Sequence, residues 1–217
     1  MTDRIRRFAD QDSAAATLAA DIINLLGYAV ALRGGASLAL PGGSTPVPLF
    51  EHLSAGSFDW TKVTVLPTDE RWVFKHSAAS NEGQIRRYIA GAKFVSLKTR
   101  HRTPESALQT VSSRLAALPD PLDMVVIGMG EDGHIASLFP GANSDGDGGG
   151  CLAAHAPHSP QARISLSLTK LMAGRHLALL FGGAAKWQVF SRGSGLPVHA
   201  LLPHPRLRVY VYDHTLE

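Results

Sequence analysis

Between about Asp12 and Arg33, apolar residues recur three and four apart: Ala15, Leu18, Ile22, Leu25 and Ala29 share one helical face. Gly34-Gly35 closes that helix, since glycine takes the left-handed conformation of a helix end readily. The period then changes. Ser37–Pro41, Val63–Leu66, Met124–Ile127, His176–Phe181 and Leu207–Tyr212 are short apolar runs, bounded mostly by glycine or proline, and Arg163–Leu168 alternates. Runs of this length read as strands. Helical stretches lie between them. Val47–Leu53 follows a glycine loop. A second helix opens at Ser80-Asn81, with Gln84 placed three after Asn81 in capping-box fashion and a body from Ile85 to Ile89. A third runs from Thr103 to Leu118 and stops at Pro119-Asp120-Pro121, and a fourth opens at Ala184. Strands alternating with helices predict an α/β fold, with a mostly parallel, Rossmann-like sheet covered by helices on both faces. No repeat or linker divides the chain, so residues 1–217 are expected to form one domain.

Composition narrows the field without deciding it. The net charge of +3 is small and the basic residues are dispersed, which argues against generic nucleic-acid binding. It suits a small anionic ligand. With one cysteine, Cys151, there is no intrachain disulfide and no Cys/His zinc framework. Residues 1–12 mix arginines with acids and do not read as a signal or transit peptide. No apolar run is read as long enough to span a membrane, so the expected compartment is the cytoplasm. The Gly- and Asp-rich stretch Asn143–Cys151 reads as a mobile surface segment without the ligand spacing of an EF-hand.

Chemistry concentrates where strands end. After Met124–Ile127, three glycines, Gly128, Gly130 and Gly133, surround Glu131, Asp132 and His134. Glycines allow sharp turns and close ligand approach, and ligands of open α/β sheets sit beyond the carboxyl ends of strands. The spacing is not that of a dinucleotide fingerprint, so no nucleotide cofactor is expected. After Ser37–Pro41 comes Gly42-Gly43-Ser44-Thr45-Pro46: Ser44 or Thr45 is placed to cap the next helix, with Pro46 at its first position, and such a helix start is also a ready anion site. Asp69, Glu70 and Arg71 follow Val63–Leu66. Arg71 offers a planar fork to a phosphate or carboxylate, or forms an ordinary surface ion pair. Lys186 stands just after Gly182-Gly183, within reach of a bound phosphate, or is a plain surface charge.

Pro41-Gly-Gly-Ser-Thr-Pro46, Thr68-Asp-Glu-Arg-Trp-Val73, Ser80-Asn81, Gly128-Met-Gly-Glu-Asp-Gly-His-Ile-Ala-Ser-Leu-Phe-Pro140 and Gly182-Gly-Ala-Ala-Lys186 follow one another in order, spread over most of the chain. In these stretches the chain resembles the 6-phosphogluconolactonase family, which shares its fold with glucosamine-6-phosphate deaminase and ribose-5-phosphate isomerase. The resemblance implies hydrolysis of 6-phospho-D-glucono-1,5-lactone in the oxidative pentose phosphate pathway. It implies that His134 is catalytic. Gly42, Gly43, Ser44 and Thr45 would form the sugar-phosphate loop, with Asp69, Arg71 and Lys186 as further substrate contacts and Arg163 a less supported one.

A histidine suits the activation of water near neutral pH, followed by return of the proton to the departing ring oxygen. Asp132 is a candidate to orient the loop or the imidazole, and glycine-loop amides or Arg71 to hold the oxyanion. No metal and no cofactor are expected. The implied partner is a small phosphorylated sugar lactone, not nucleic acid or membrane, and the assembly a monomer or weak homo-oligomer. There are departures: Ile135 stands where the family usually has Thr, the chain is rather short, and Asp145–Gly150 differs from the usual loop. Two rivals were weighed. A deaminase would carry Asp-Glu-Tyr where this chain has Asp69-Glu-Arg71, and Phe-Asn-Glu-Pro where it has Ser137-Leu-Phe-Pro140. A non-catalytic sugar-phosphate regulator would carry an N-terminal helix-turn-helix domain, and the stretch before Pro41 has no room for one.

Overall fold

The structure, a computed structural model, describes residues 4–213 apart from Asp147, His158 and Gly193. Seven strands form the main sheet: β1 (Ile5–Phe8), β2 (Ala36–Leu40), β3 (Val63–Pro67), β5 (Lys93–Phe94), β6 (Met124–Gly128), β9 (His176–Gly182) and β10 (Leu207–Tyr212). Their order is β1-β10-β9-β6-β2-β3-β5, and every pairing is parallel. Three further strands, β4 (Asp69–Arg71), β7 (Cys151–His155) and β8 (Ala162–Leu166), make a small antiparallel sheet with β8 in the middle.

Both faces of the main sheet are dry. Leu38, Leu40, Val65, Val126, Leu180 and Tyr210 point to one side, where α1 (Gln11–Arg33), α2 (Val47–Ala55) and α3 (Asn81–Tyr88) pack. Ala39, Leu66, Ile127, Leu179 and Val211 point to the other, which meets α4 (Pro104–Ala116), α5 (Leu168–Met172), α6 (Ala184–Ser191) and the small sheet. Alternating residues of one strand thus serve two cores, which is why these strands read as mostly apolar runs. From β2 the chain steps outward to β3 and β5, whereas from β6 it steps the other way to β9 and β10. The order reverses between β2 and β6, and loops diverge from such a point to leave a crevice.

Several expectations are corrected. Helix α1 starts at Gln11, because the Asp10 carboxylate accepts from the Ser13 amide at 2.7 Å. By length and apolarity α1 does reach membrane-spanning size, contrary to the reading of its sequence. One face of it, including Leu18, Ile22 and Leu26, lies buried against the sheet, and Asp21 ties it to Arg6 and Tyr210. Asp69–Arg71 is a strand rather than a loop. The strand expected over Arg163–Leu168 ends at Leu166, because the Ser167 hydroxyl caps α5. In the stretch Asn143–Cys151, where Asp147 lies outside the described residues, Asp145 accepts from the Thr169 amide and hydroxyl at 3.1 and 2.7 Å, and β7 begins at Cys151.

Candidate active site

At the reversal between β2 and β6 lies a cleft of about 220 Å³, lined by residues 41–46 and by Asp69, Arg71, Asn81, Met129, Gly130, His134, Ala136 and Arg163, among others. It gathers the Gly42–Thr45 loop, Asp69, Arg71, His134 and Arg163 from separate parts of the sequence. Lys186, on the first turn of α6, is not among the lining residues, and Asp132 reaches the cleft only through His134.

Three contacts fix the His134 loop. The Gly130 amide donates to the His134 carbonyl at 2.9 Å, closing a tight turn. A side chain at Gly130 would collide with the His134 ring and the Asp132 carboxylate, so glycine here leaves that pair its place. Ile135 is fully buried and bridges to Met129 and Leu138. Its side chain therefore serves the core, and the Ile-for-Thr departure changes core packing rather than the cleft lining. Ala136 turns in the left-handed region (φ 48°) and itself lines the cleft. A non-glycine residue there carries backbone strain that its surroundings must hold. Ser137 supplies that hold by donating its hydroxyl to Asp69 Oδ2 at 2.5 Å and its amide to Ser165 Oγ at 3.2 Å.

His134 Nδ1 lies 2.6 Å from Asp132 Oδ1, which also accepts the His134 amide at 3.1 Å. Partial burial works to raise the Asp132 carboxyl, but the bonds and charge from His134 outweigh it and hold the group below its ordinary value. An ionised carboxylate only accepts, so the contact places a proton on Nδ1, which leaves Nε2 as the lone-pair nitrogen of the neutral imidazole. The ring packs against Phe139 with centroids 4.9 Å apart.

Part of the cleft wall is cationic, with Arg71 and Arg163 among the lining residues. Antiparallel pairing sets Arg71 directly across from Arg163, and Asp69 across from Ser165. Like charges opposed on neighbouring strands are unfavourable unless something answers them. Asp69 answers partly: its Oδ2 is 3.9 Å from Arg163, while its Oδ1 accepts from Asn81 Nδ2 at 3.1 Å. Arg71 donates to the Ala79 carbonyl at 2.8 Å. Burial, and secondarily the charge of Arg71, pull Arg163 below the usual guanidinium value against the pull of Asp69. It remains a cation, as guanidinium groups do in proteins. Asp69 thus lines the cleft with its carboxylate already engaged, as a tie among three elements.

The loop after β2 differs in detail from expectation. Neither Ser44 nor Thr45 caps α2; Pro46 occupies the cap position with no side-chain hydrogen bond. The start of α2 is a poor anion site: the Val47 amide donates to the Ser44 carbonyl at 3.2 Å and Pro48 has no N–H, so Leu49 is the first residue of the turn whose amide is not accounted for in this way. Gln84 does not close a capping box. Ser80 caps α3 by accepting from the Gly83 amide at 2.9 Å, and the Gln84 carboxamide instead reaches Gly43. Asn81, Ser137 and Gln84 are the site neighbours that the sequence reading left without a role. Asn81 and Ser137 lay inside its motifs, whereas Gln84 was read only as a helix-capping residue. Among the described residues, no three His, Cys, Asp or Glu side chains are placed to hold a metal ion.

Fold and site together define an α/β protein with an anion-attracting cleft and a carboxylate-oriented histidine at the crossover of a parallel sheet. The chain belongs to the glucosamine-6-phosphate isomerase/6-phosphogluconolactonase family, whose model matches residues 9–209. It is 36% identical to the 6-phosphogluconolactonase of Pseudomonas putida, over 95% of this chain and 92% of that one. It is 33% identical to the enzyme of the same name from Rhizobium meliloti, over 98% and 99%. The crystal structure of a 6-phosphogluconolactonase from Shewanella baltica superposes with a TM-score of 0.90 at 34% identity, covering 96% of each chain.

Proposed function

We propose that this chain hydrolyses 6-phospho-D-glucono-1,5-lactone to 6-phospho-D-gluconate, as one catalytic unit over its 217 residues. The observation that carries this reading is the Asp132–His134 pair at a cleft that Arg71 and Arg163 also line. His134 Nε2 takes a proton from water as that water adds to the lactone carbonyl. The tetrahedral intermediate collapses with cleavage of the bond from C1 to the ring oxygen, and the imidazolium returns its proton to that oxygen. Asp132 holds the ring in the required tautomer.

The Gly43 and Gly130 amides are already spent within the protein, so they do not serve the oxyanion. Stabilisation of negative charge, on the carbonyl oxygen and on the phosphate, falls to the arginines and to Ser44 and Thr45. Lys186 joins this set only if α6 or its own side chain moves towards the cleft. We place the reaction in the oxidative pentose phosphate pathway, in the cytoplasm, run by a monomer or weak homo-oligomer without a metal ion.

The test is an assay of purified protein on freshly generated 6-phosphogluconolactone, corrected for spontaneous hydrolysis, beside unphosphorylated gluconolactone and after EDTA treatment. The phosphorylated lactone is expected to be preferred by a large factor in kcat/KM, since a remote charged group lends binding energy to the reacting centre. No acceleration over the spontaneous rate would overturn the reading, and loss of activity on chelation would overturn its metal-free form.

A further inference from the structure

We infer that Gln84 is a positioning residue for the anion loop, and that it tunes selectivity for the phosphorylated substrate. The inference rests on the proposal that residues 42–45 meet the phosphate. Gln84 lies on α3, and its carboxamide holds Gly43 through the two peptide units that flank its Cα: Oε1 accepts from the Gly43 amide at 3.0 Å, and Nε2 donates to the Gly43 carbonyl at 2.7 Å. A two-point grip fixes orientation as well as position. One turn earlier on α3, Asn81 packs against Gly42 so closely that a Cβ there would overlap its carboxamide. The same Asn81 donates to the Asp69 carbonyl at 2.8 Å. Consecutive glycines of the loop are thus both held by side chains of one helix.

That helix is itself fixed to the cationic wall. The buried carboxylate of Glu70 accepts from the Asn81 and Glu82 amides at 2.8 Å each and from the Ser80 hydroxyl at 2.9 Å. Glu70 sits between Asp69 and Arg71 on β4. A chain of hydrogen bonds therefore runs from the arginine-bearing strand, through α3, to the loop after β2. The path sets the distance between the arginines and the Ser44–Thr45 segment, the dimension that a phosphate group must fit. Preorganisation of this kind raises affinity by removing the cost of ordering the loop on binding.

The experiment compares wild type with Gln84→Met, which keeps length and volume but loses both hydrogen bonds. A second variant, Gln84→Glu, keeps the acceptor for the Gly43 amide but loses the donor and adds a charge that repels phosphate. For each, kcat/KM is measured on phosphorylated and unphosphorylated gluconolactone, with the melting temperature as a check on folding. Gln84→Met is expected to lower the phosphorylated-to-unphosphorylated ratio about tenfold, the scale of one or two net hydrogen bonds. Gln84→Glu is expected to lower it at least as far. An unchanged ratio in folded Gln84→Met, or a parallel fall for both lactones, would overturn the positioning role while leaving the phosphate loop in place. A wild type with no preference for the phosphorylated lactone would overturn the loop assignment itself, and the inference with it.

Discussion

Replacing Asp69 by Asn removes a charge and an acceptor from a place where both are committed. Oδ2 accepts from Ser137 and faces Arg163 at 3.9 Å, with side-chain exposures of only 8% and 14% for Asp69 and Arg163. At that separation and an effective dielectric constant of about 20, the attraction is about 4 kcal/mol. Removing one member of a buried pair exposes the remaining charge to that loss, offset only by relaxation. Here Arg71, directly opposite, makes the remaining charge worse placed. We expect Asp69→Asn to destabilise the fold by about 2–4 kcal/mol, a fall in Tm on the order of 5–15 °C for a chain of this size. Anion binding should move the opposite way. With their counter-charge gone, the arginines are best answered by bound phosphate, so added inorganic phosphate should raise the Tm of the variant more than that of wild type. The assay is thermal unfolding of both proteins across a phosphate titration. A variant as stable as wild type, with the same response to phosphate, would refute the view of Asp69 as the tie that holds two like charges together.

Other consequences follow from single contacts. Gly130→Ala places a Cβ where the His134 ring and Asp132 carboxylate now lie, so kcat should fall at least tenfold while 6-phosphogluconate, measured by calorimetry, still binds. Tyr210 donates to Asp21 at 2.5 Å, and burial, then that bond and the Asp21 charge, push its pKa up to about 12 from 10.0. A pKa raised in the fold contributes stability that is complete below pH 10 and is lost as pH rises towards 12. The stability of wild type relative to Tyr210→Phe, from denaturant titrations, should therefore decline over that window by about 2–3 kcal/mol. Glu70→Gln replaces one acceptor oxygen by a donor facing the Ser80 hydroxyl and Glu82 amide, and should lower Tm through those buried, unanswered groups.

The parts of the fold legible in the sequence are those where one strand alone buries enough apolar surface to leave a mark. β2, β6, β9 and β10 each present a mostly apolar run, interrupted by Ser37 in β2 and by the exposed Arg208 in β10, because both faces are largely covered. β4 left no such mark. Asp69, Glu70 and Arg71 become a strand because β8 lies beside them, and a tertiary neighbour has no local signature. β1 and β5, four and two residues long, are parallel edges recruited by β10 and β3.

The candidate site divides in the same way. The glycines, His134 and Arg71 stood out because strand ends are where ligands bind in such sheets. That Arg163 faces Arg71, that Asp132 touches His134, and that Ile135 turns into the core are facts of register and turn geometry, which spacing alone leaves open. Lys186 shows the converse, since a position after a glycine pair carries no distance to the cleft.

The central claim is that His134 moves the proton. The measurement is kcat for His134→Ala on 6-phosphogluconolactone, taken together with the affinity for 6-phosphogluconate and the Tm of the same preparation. A proton-transfer role predicts a fall in kcat on the order of 10²–10⁴-fold. Product binding should persist, because Arg71, Arg163 and the Gly42–Thr45 loop lie on other elements, and the Tm should change by only a few degrees, since the side chain is partly exposed. A kcat near that of wild type would remove His134 from the mechanism. A collapse in Tm alongside the lost activity would make it a structural support of its loop instead.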